Sequence, residues 1–172
     1  MSTNDLIELF HHRWAPPALA LLDERGGARF VELQRRLEVG RESLVRALGA
    51  LIETGLVRRN EGYGHPLRPE YVLTAKGRRA APTATGVVGV GDPSTLLRKW
   101  SVPVLAELRD ARRFSALRAA LPGITPRALA LALQDLEAAG YIRREVQATR
   151  PPSTIYRTTP RGRRVQRLIQ EA

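Results

Sequence analysis

None of the 172 residues is cysteine, which excludes disulfides, thiolate metal sites and thiol redox sensing. Histidine is scarce as well, and His11, His12 and His65 offer no convincing metal set. Lysine occurs twice, as Lys76 and Lys99, so nearly all of the 28 basic residues are arginine. Acids are few: 17 Asp plus Glu leave a net charge of +11. No apolar run approaches the roughly 18 residues of a membrane span. The opening MSTNDLIELFHH carries an acid where a secretory signal wants basic residues. The expectation is a cytoplasmic chain with no membrane partner.

Catalytic signatures are missing too. No G-x-x-x-x-G-K-[ST], H-E-x-x-H or G-x-S-x-G occurs, and no pair of carboxylates stands out for acid–base work. GVVGVG at 86–91 follows G-x-x-G-x-G rather than G-x-G-x-x-G, and Asp92-Pro93 breaks the chain directly after it. The composition therefore points away from an enzyme, a cofactor or a bound metal.

What the chain does have is apolar content and positive charge. A hydrophobic fraction of 43% is enough for real cores and argues against wholesale disorder. Arginine forms bidentate forks with phosphates and guanine edges, so a polyanion is the natural partner. A GC-rich coding bias can explain arginine over lysine, but not the shortage of acids.

The chain also says one thing twice. Trp14, Pro17 and Leu22 recur 86 residues later as Trp100, Pro103 and Leu108. Phe30, Leu33 and Leu37 recur at an offset of 84 as Phe114, Leu117 and Leu121. From Leu44/Leu129 onward the offset is 85, through Gly55/Gly140, Arg58/Arg143, Tyr71/Tyr156, Thr74/Thr159 and Gly77/Gly162. The offset changes at turns, where insertions are tolerated.

Each copy predicts three helical stretches. The first covers residues 14–23 (99–110 in copy two), with a proline near its start. The second, 30–38, aligns Phe30, Leu33 and Leu37 on one stripe; the third, 41–54, buries Leu44, Leu48 and Leu51 and stops at Gly55. In copy two, Thr125-Pro126 is an N-cap followed by proline at the first helical position. Extended segments at 56–60 and 70–74, and at 141–146 and 154–158, make a β-hairpin in each copy. Three helices and a hairpin make a winged helix-turn-helix. The fold class is thus mainly α with small β-hairpins (α+β), as two tandem winged helix-turn-helix domains. Residues 1–80 form copy one with its N-terminal helix, 81–94 a small-residue linker, and 95–172 copy two with a C-terminal helix.

Lys99-Trp100, Arg113-Phe114, Gly123-Ile124-Thr125 and Leu136-Glu137 in copy two closely resemble the HxlR family of bacterial winged-helix transcription regulators. Copy one keeps Arg13-Trp14, Arg29-Phe30, GLVRR and PEYVLTAKG. The resemblance covers nearly the whole chain apart from the linker and termini, and implies DNA-binding transcriptional regulation. Members usually carry one winged helix per chain and dimerise, so two fused copies suggest an intramolecular pseudo-dimer. Some members sense oxidants or aldehydes through a cysteine; any inducer here must work without one.

In a helix-turn-helix the third helix enters the major groove. With the leucines turned inward, copy one presents Arg41, Glu42, Val45, Arg46 and Gly49. Arg41 and Arg46 can reach phosphates or guanine, while Glu42 can accept from cytosine N4 or pair with Arg46. Copy two presents Pro126, Arg127, Ala130, Leu131 and Gln134, in which Leu131 replaces Arg46. The run ALALALQ (128–134) suits thymine methyls or a packing surface equally, with Ala128, Leu131 and Ala132 as its apolar outer face. At the wing tips, Arg68 and Arg150 can enter the minor groove, and His65 is as well explained by a solvated turn. Trp14, Trp100, Phe30 and Phe114 are expected to pack in the core.

Charge is unequal between the copies. Residues 1–85 hold 13 cations and 10 anions, a net of +3; residues 86–172 hold 15 and 7, a net of +8. Copy two is expected to supply electrostatic grip and copy one more sequence reading. The partners expected are double-stranded DNA, a small-molecule effector, and a second chain paired through Leu6, Ile7, Leu9 and Phe10 of the N-terminal segment. The leading reading is a sequence-specific regulator on an imperfect inverted repeat. The alternative is a small-molecule- or protein-binding module on the same fold with reduced or lost specific DNA binding.

Overall fold

The computed structural model describes residues 1–60, 70–148 and 153–170. Copy one runs α1 (Thr3–Leu9), α2 (Ala15–Arg25), β1 (Ala28–Arg29), α3 (Phe30–Leu37), α4 (Arg41–Glu53), β2 (Val57–Asn60), β3 (Glu70–Leu73) and α5 (Ala75–Gly89). Copy two repeats the order as α6 (Pro93–Leu96), α7 (Ser101–Glu107), β4 (Arg112–Arg113), α8 (Phe114–Ala120), α9 (Pro126–Ala138), β5 (Ile142–Gln147), β6 (Ser153–Thr158) and α10 (Pro160–Gln170). Each copy carries one three-stranded antiparallel sheet, ordered β1-β3-β2 and β4-β6-β5. The register repeats as well: Ala28 faces Tyr71 as Arg112 faces Tyr156. The short strands β1 and β4 had no signature in the sequence, because two residues are too few to show a period.

Apolar stripes sit where helical spacing puts them. Leu44, Leu48 and Leu51 of α4 are buried, as are Leu129, Leu133 and Leu136 of α9. Full burial of each leucine is worth about 1.5–3 kcal/mol. Trp14, Phe30, Trp100 and Phe114 are partly buried against the core. Thr125 caps α9, its hydroxyl accepting the Ala128 N–H at 3.2 Å, and Pro126 opens the helix.

Two expectations are changed by packing. Residues 81–89, read from composition as part of a linker, continue α5 through Pro82 to Gly89. Gly, Pro and Thr weaken a helix in isolation, but burial of Ala81, Thr83, Ala84 and Val87 overrides propensity. Small residues let this helix lie close to its neighbours, and a β-carbon at Gly86 would sit 3.0 Å from Leu168 Cδ2 of α10. Most of the apolar face of α1 is likewise covered inside the chain, with Ile7 partly exposed. Leu6, Leu9 and Phe10 are all at most 1% exposed, so they are not available to pair with a second chain.

The seam between the copies is built from α1 and α5 of copy one and α6, α7 and α10 of copy two. α5 contacts its counterpart α10, and α1 contacts α7. Thr3 Oγ1 donates to a Glu107 carboxylate oxygen across that seam. The buried Gln166 of α10 donates to the Leu105 carbonyl at 2.8 Å, tying α10 onto α7 within copy two.

Candidate nucleic-acid interface

Each third helix is set by the turn before it and the lock behind it. In copy one the turn is Glu38-Val39-Gly40, with Glu38 left-handed at φ 50° and Val39 buried. In copy two it is Gly123-Ile124-Thr125, with Gly123 at φ 76° and Ile124 buried. The buried aliphatic residue pins the turn to the core, and the next residue starts the helix.

The lock is a Thr-x-cation-Gly motif at the start of the last helix. Thr74 Oγ1 donates to the Gly55 carbonyl at 2.6 Å and accepts from Gly77 N–H at 3.0 Å. Thr159 does the same with Gly140 at 2.7 Å and Gly162 at 3.2 Å. Lys76 Nζ donates to the Thr54 carbonyl at 3.0 Å, and Arg161 Nη1 to the Ala139 carbonyl at 2.8 Å. These cations meet carbonyls that the α4 and α9 C-termini leave without intrahelical partners. Arg78 and Arg163 each donate to the last strand's carbonyl, Leu73 or Thr158, at 3.2 Å. The lock joins reading helix, wing and last helix. Its threonine and glycine recur in the sequence, but their purpose shows only in the contacts.

The outward faces carry the expected residues. Arg41, Glu42, Val45 and Arg46 are exposed on α4, and Arg127, Ala130, Leu131 and Gln134 on α9. Arg46 donates to Glu42 Oε2 at 3.2 Å, with both side chains well exposed. A pair of this kind is worth about 0.3–0.5 kcal/mol, so a phosphate or base edge can displace it at little cost. Arg41 lies over the Phe30 ring, 5.5 Å from its centre, a cation–π contact that orients its guanidinium at the helix N-terminus. Nothing in the sequence pattern signals that contact.

Leu131 is 50% exposed, whereas Ala132 is buried at 6% and belongs to the core face. The apolar outer face of α9 is therefore smaller than the sequence suggests. Leu131 borders a recess of about 190 Å³ shared with Trp100, Ala128 and Asp135, and Arg98 pairs with Asp135 at its edge. His65, Arg68 and Arg150 lie outside the described residues.

The basic excess of copy two is partly committed within the chain. Glu145 pairs with Arg143 on its own strand at 2.8 Å and accepts from Arg157 of the facing strand at 3.1 Å. Arg161 serves the lock. Arg144, Arg164 and Arg167 are exposed and, among the described residues, make no ion pair. Among the described residues there is no cluster able to hold a metal ion, and no helix long and apolar enough to cross a membrane.

The duplication is matched among known families: the model for HxlR-like helix-turn-helix proteins matches residues 9–91 and again residues 95–172. The chain belongs to the HxlR-like helix-turn-helix family. It is a tandem member with two winged helices, and its relatives are named as transcriptional regulators. An uncharacterized HTH-type transcriptional regulator of Synechocystis is 43% identical over 72 residues, covering 41% of this chain and 53% of the relative. The HTH-type regulator YtfH of Escherichia coli is 36% identical over 72 residues, covering 41% of this chain and 57% of the relative. This chain thus spans little more than half the length of the curated relatives it matches. Reduced YodB of Bacillus subtilis superposes with a TM-score of 0.44 at 28% identity, covering 48% of this chain and 81% of that one. A MarR-family regulator from Porphyromonas gingivalis gives 0.45 at 28% identity, covering 49% and 82%.

Proposed function

We propose that this HxlR-like chain is a sequence-specific double-stranded-DNA-binding transcriptional regulator whose fused winged helices act as an intramolecular pseudo-dimer. One observation carries the reading: each copy holds an exposed third-helix face over a fully buried leucine stripe, and the two faces differ in chemistry. Arg41, Glu42 and Arg46 in copy one can read base edges; Arg127, Leu131 and Gln134 in copy two offer fewer polar contacts. The target is then an imperfect inverted repeat whose half-sites differ. The meeting of equivalent helices α5 and α10 at the seam supports pairing of the two-fold kind. In this reading copy one extends through Gly89, and the two units divide at residues 90–92. His65, Arg68 and Arg150 at the wing tips would add phosphate or minor-groove contacts.

The test is a fluorescence-anisotropy titration against the gene's own upstream DNA and a scrambled duplex, over salt from about 50 to 200 mM. Affinity should fall steeply with salt on both, with the upstream duplex about 10³-fold tighter or better. Equal binding to the two duplexes would sink the regulator reading.

A second reading applies to copy two alone. Half-exposed Leu131 beside the 190 Å³ recess favours a contact with a protein or small molecule there. Leu131→Arg separates the two: a DNA-facing site gains affinity or changes preference, whereas a packing site loses its partner with DNA binding unchanged.

A further inference from the structure

The two copies differ at the lock, where its cation meets the residue that follows the glycine ending the reading helix. In copy two, Tyr141 follows Gly140 and is fully buried. Its hydroxyl donates to Asp92 Oδ2 at 3.1 Å, and Arg161 lies over its ring, 4.4 Å from the centre. Arg161 Nη2 also reaches Asp92 Oδ2 and the Tyr141 oxygen, each at 3.3 Å. Ring, cation and carboxylate close on one another.

Copy one has the same parts without the ring. The residue 85 positions before Tyr141 is Leu56, and the cation 85 before Arg161 is Lys76. Lys76 faces two carboxylates on α1, Asp5 at 4.0 Å and Glu8 at 3.9 Å, both too long for hydrogen bonds. Beside them opens a cavity of about 590 Å³, with Leu56, Ala80 and Pro82 on its apolar side and Lys76, Arg79, Asp5 and Glu8 as charged groups. Metabolite-sized pockets run from about 300 to 1,000 Å³, apolar with a few convergent polar groups.

We infer that this cavity in copy one binds a small hydroxylated aromatic compound, its ring taking the place that Tyr141 fills in copy two. Lys76 lies over the ring as Arg161 does over Tyr141, a cation–π arrangement. The ligand hydroxyl donates to the Glu8 or Asp5 carboxylate as Tyr141 does to Asp92. Asp5 Oδ2 is already taken by the Ser2 amide and hydroxyl, at 3.0 and 2.7 Å, which leaves Oδ1, 4.0 Å from Lys76 Nζ, to accept from the ligand. The volume leaves room beyond a single phenol ring. The carboxylates stand on α1, whose Thr3 bonds to Glu107 of copy two, so occupancy bears directly on the seam between the copies.

The probe is 4-methylphenol, the tyrosine side chain itself, titrated into the full chain and followed by ¹H–¹⁵N NMR, with toluene as the ring without a hydroxyl. Saturable shifts are expected at the amides of Glu8, Leu56 and Lys76 and not around Tyr141. Toluene should bind about tenfold more weakly, since a hydrogen bond to a charged group is at stake. Leu56→Tyr should fill the cavity and abolish the shifts. If that variant does not fold, Glu8→Gln leaves the wall intact and should weaken 4-methylphenol toward the level of toluene. Absence of saturable shifts up to about 10 mM, equal affinity for toluene, or unchanged binding in a folded Leu56→Tyr chain would each overturn the inference.

Discussion

The two halves agree where their backbones touch and differ where they face outward. The Thr74 and Thr159 hydroxyls meet their carbonyl partners at 2.6 and 2.7 Å, and Lys76 and Arg161 reach theirs at 3.0 and 2.8 Å. On the outer faces, Arg46 stands where Leu131 does, Glu42 where Arg127 does, and Gly49 where Gln134 does. Steric necessity is shared because both copies fold the same way. Recognition chemistry need not be shared, because each copy can face a different half-site or ligand.

The shared part can be broken hardest at its glycines. A β-carbon on Gly77 would stand 2.0 Å from the Leu56 carbonyl oxygen, and one on Gly162 2.1 Å from that of Tyr141. Both obstacles are backbone at the entry to the wing, so the last helix must move off it. Gly77→Ala and Gly162→Ala should each cost about 3 kcal/mol or more, at the upper end for overpacking. Urea unfolding checks this; a mild effect in one copy would show that its lock is slack and the halves are not mechanically equivalent.

The next comparison asks what Tyr141 contributes. Burial raises its hydroxyl pKa above the ordinary value, with Arg161 opposing and Asp92 adding to the rise. Burial also pushes the Asp92 carboxyl up, but hydrogen bonds from Ser94, Tyr141 and Thr95 outweigh it and leave the group below its usual range. Tyr141→Leu makes copy two resemble copy one, emptying the ring's volume and leaving Asp92 with a weaker partner set. A loss of about 2–3 kcal/mol is expected by thermal unfolding. The variant should also gain a second site for 4-methylphenol, seen as new shifts near Arg161.

On the DNA side the expected effects are comparable or smaller. Arg46→Ala should cost about 1–3 kcal/mol on the half-site read by copy one, if its contact is bidentate to guanine. Gln134→Ala should cost less on the other half-site, because an amide without charge loses a weaker contact. Anisotropy on duplexes with one half-site scrambled at a time measures both. Equal losses would remove the division of labour between a reading copy and a gripping copy.

How much of the molecule is legible in its sequence depends on the physics of each feature. The leucine stripes of α4 and α9, the wing strands and the Thr125-Pro126 start are set by short-range pattern, and the sequence expectations place them within a residue or two. The helical stretch 81–89 is not legible, because its stability comes from contacts with α2 and α10 rather than from its own weak propensity. The burial of Leu6, Leu9 and Phe10 is hidden for the same reason: amphipathicity shows a face but not what covers it. The exposed set on α4 and α9 is readable from helical period. Ala132 is the exception, expected on the outer face but buried, being one residue from Leu131 and turned about 100° from it. The cavity at Leu56 is invisible until the pairing of Leu56 with Tyr141 has a geometry.

The smallest effect is expected at the turns. Glu38 and Gly123 occupy the same left-handed position, at φ 50° and 76°, yet one is glutamate and the other glycine. A β-carbon in this region costs about 1–2 kcal/mol, which glycine avoids. Glycine in turn loses more conformational freedom on folding, by about 0.5–1 kcal/mol. Glu38→Gly should therefore stabilise copy one by about 0.5–1 kcal/mol, and Gly123→Ala should destabilise copy two by a similar amount. Differential scanning calorimetry on the two variants reads the pair. Opposite signs would show that both turns hold the same backbone and that copy one carries strain at the entrance to its reading helix; the same sign would show that Glu38 has relaxed the turn in a way Gly123 has not.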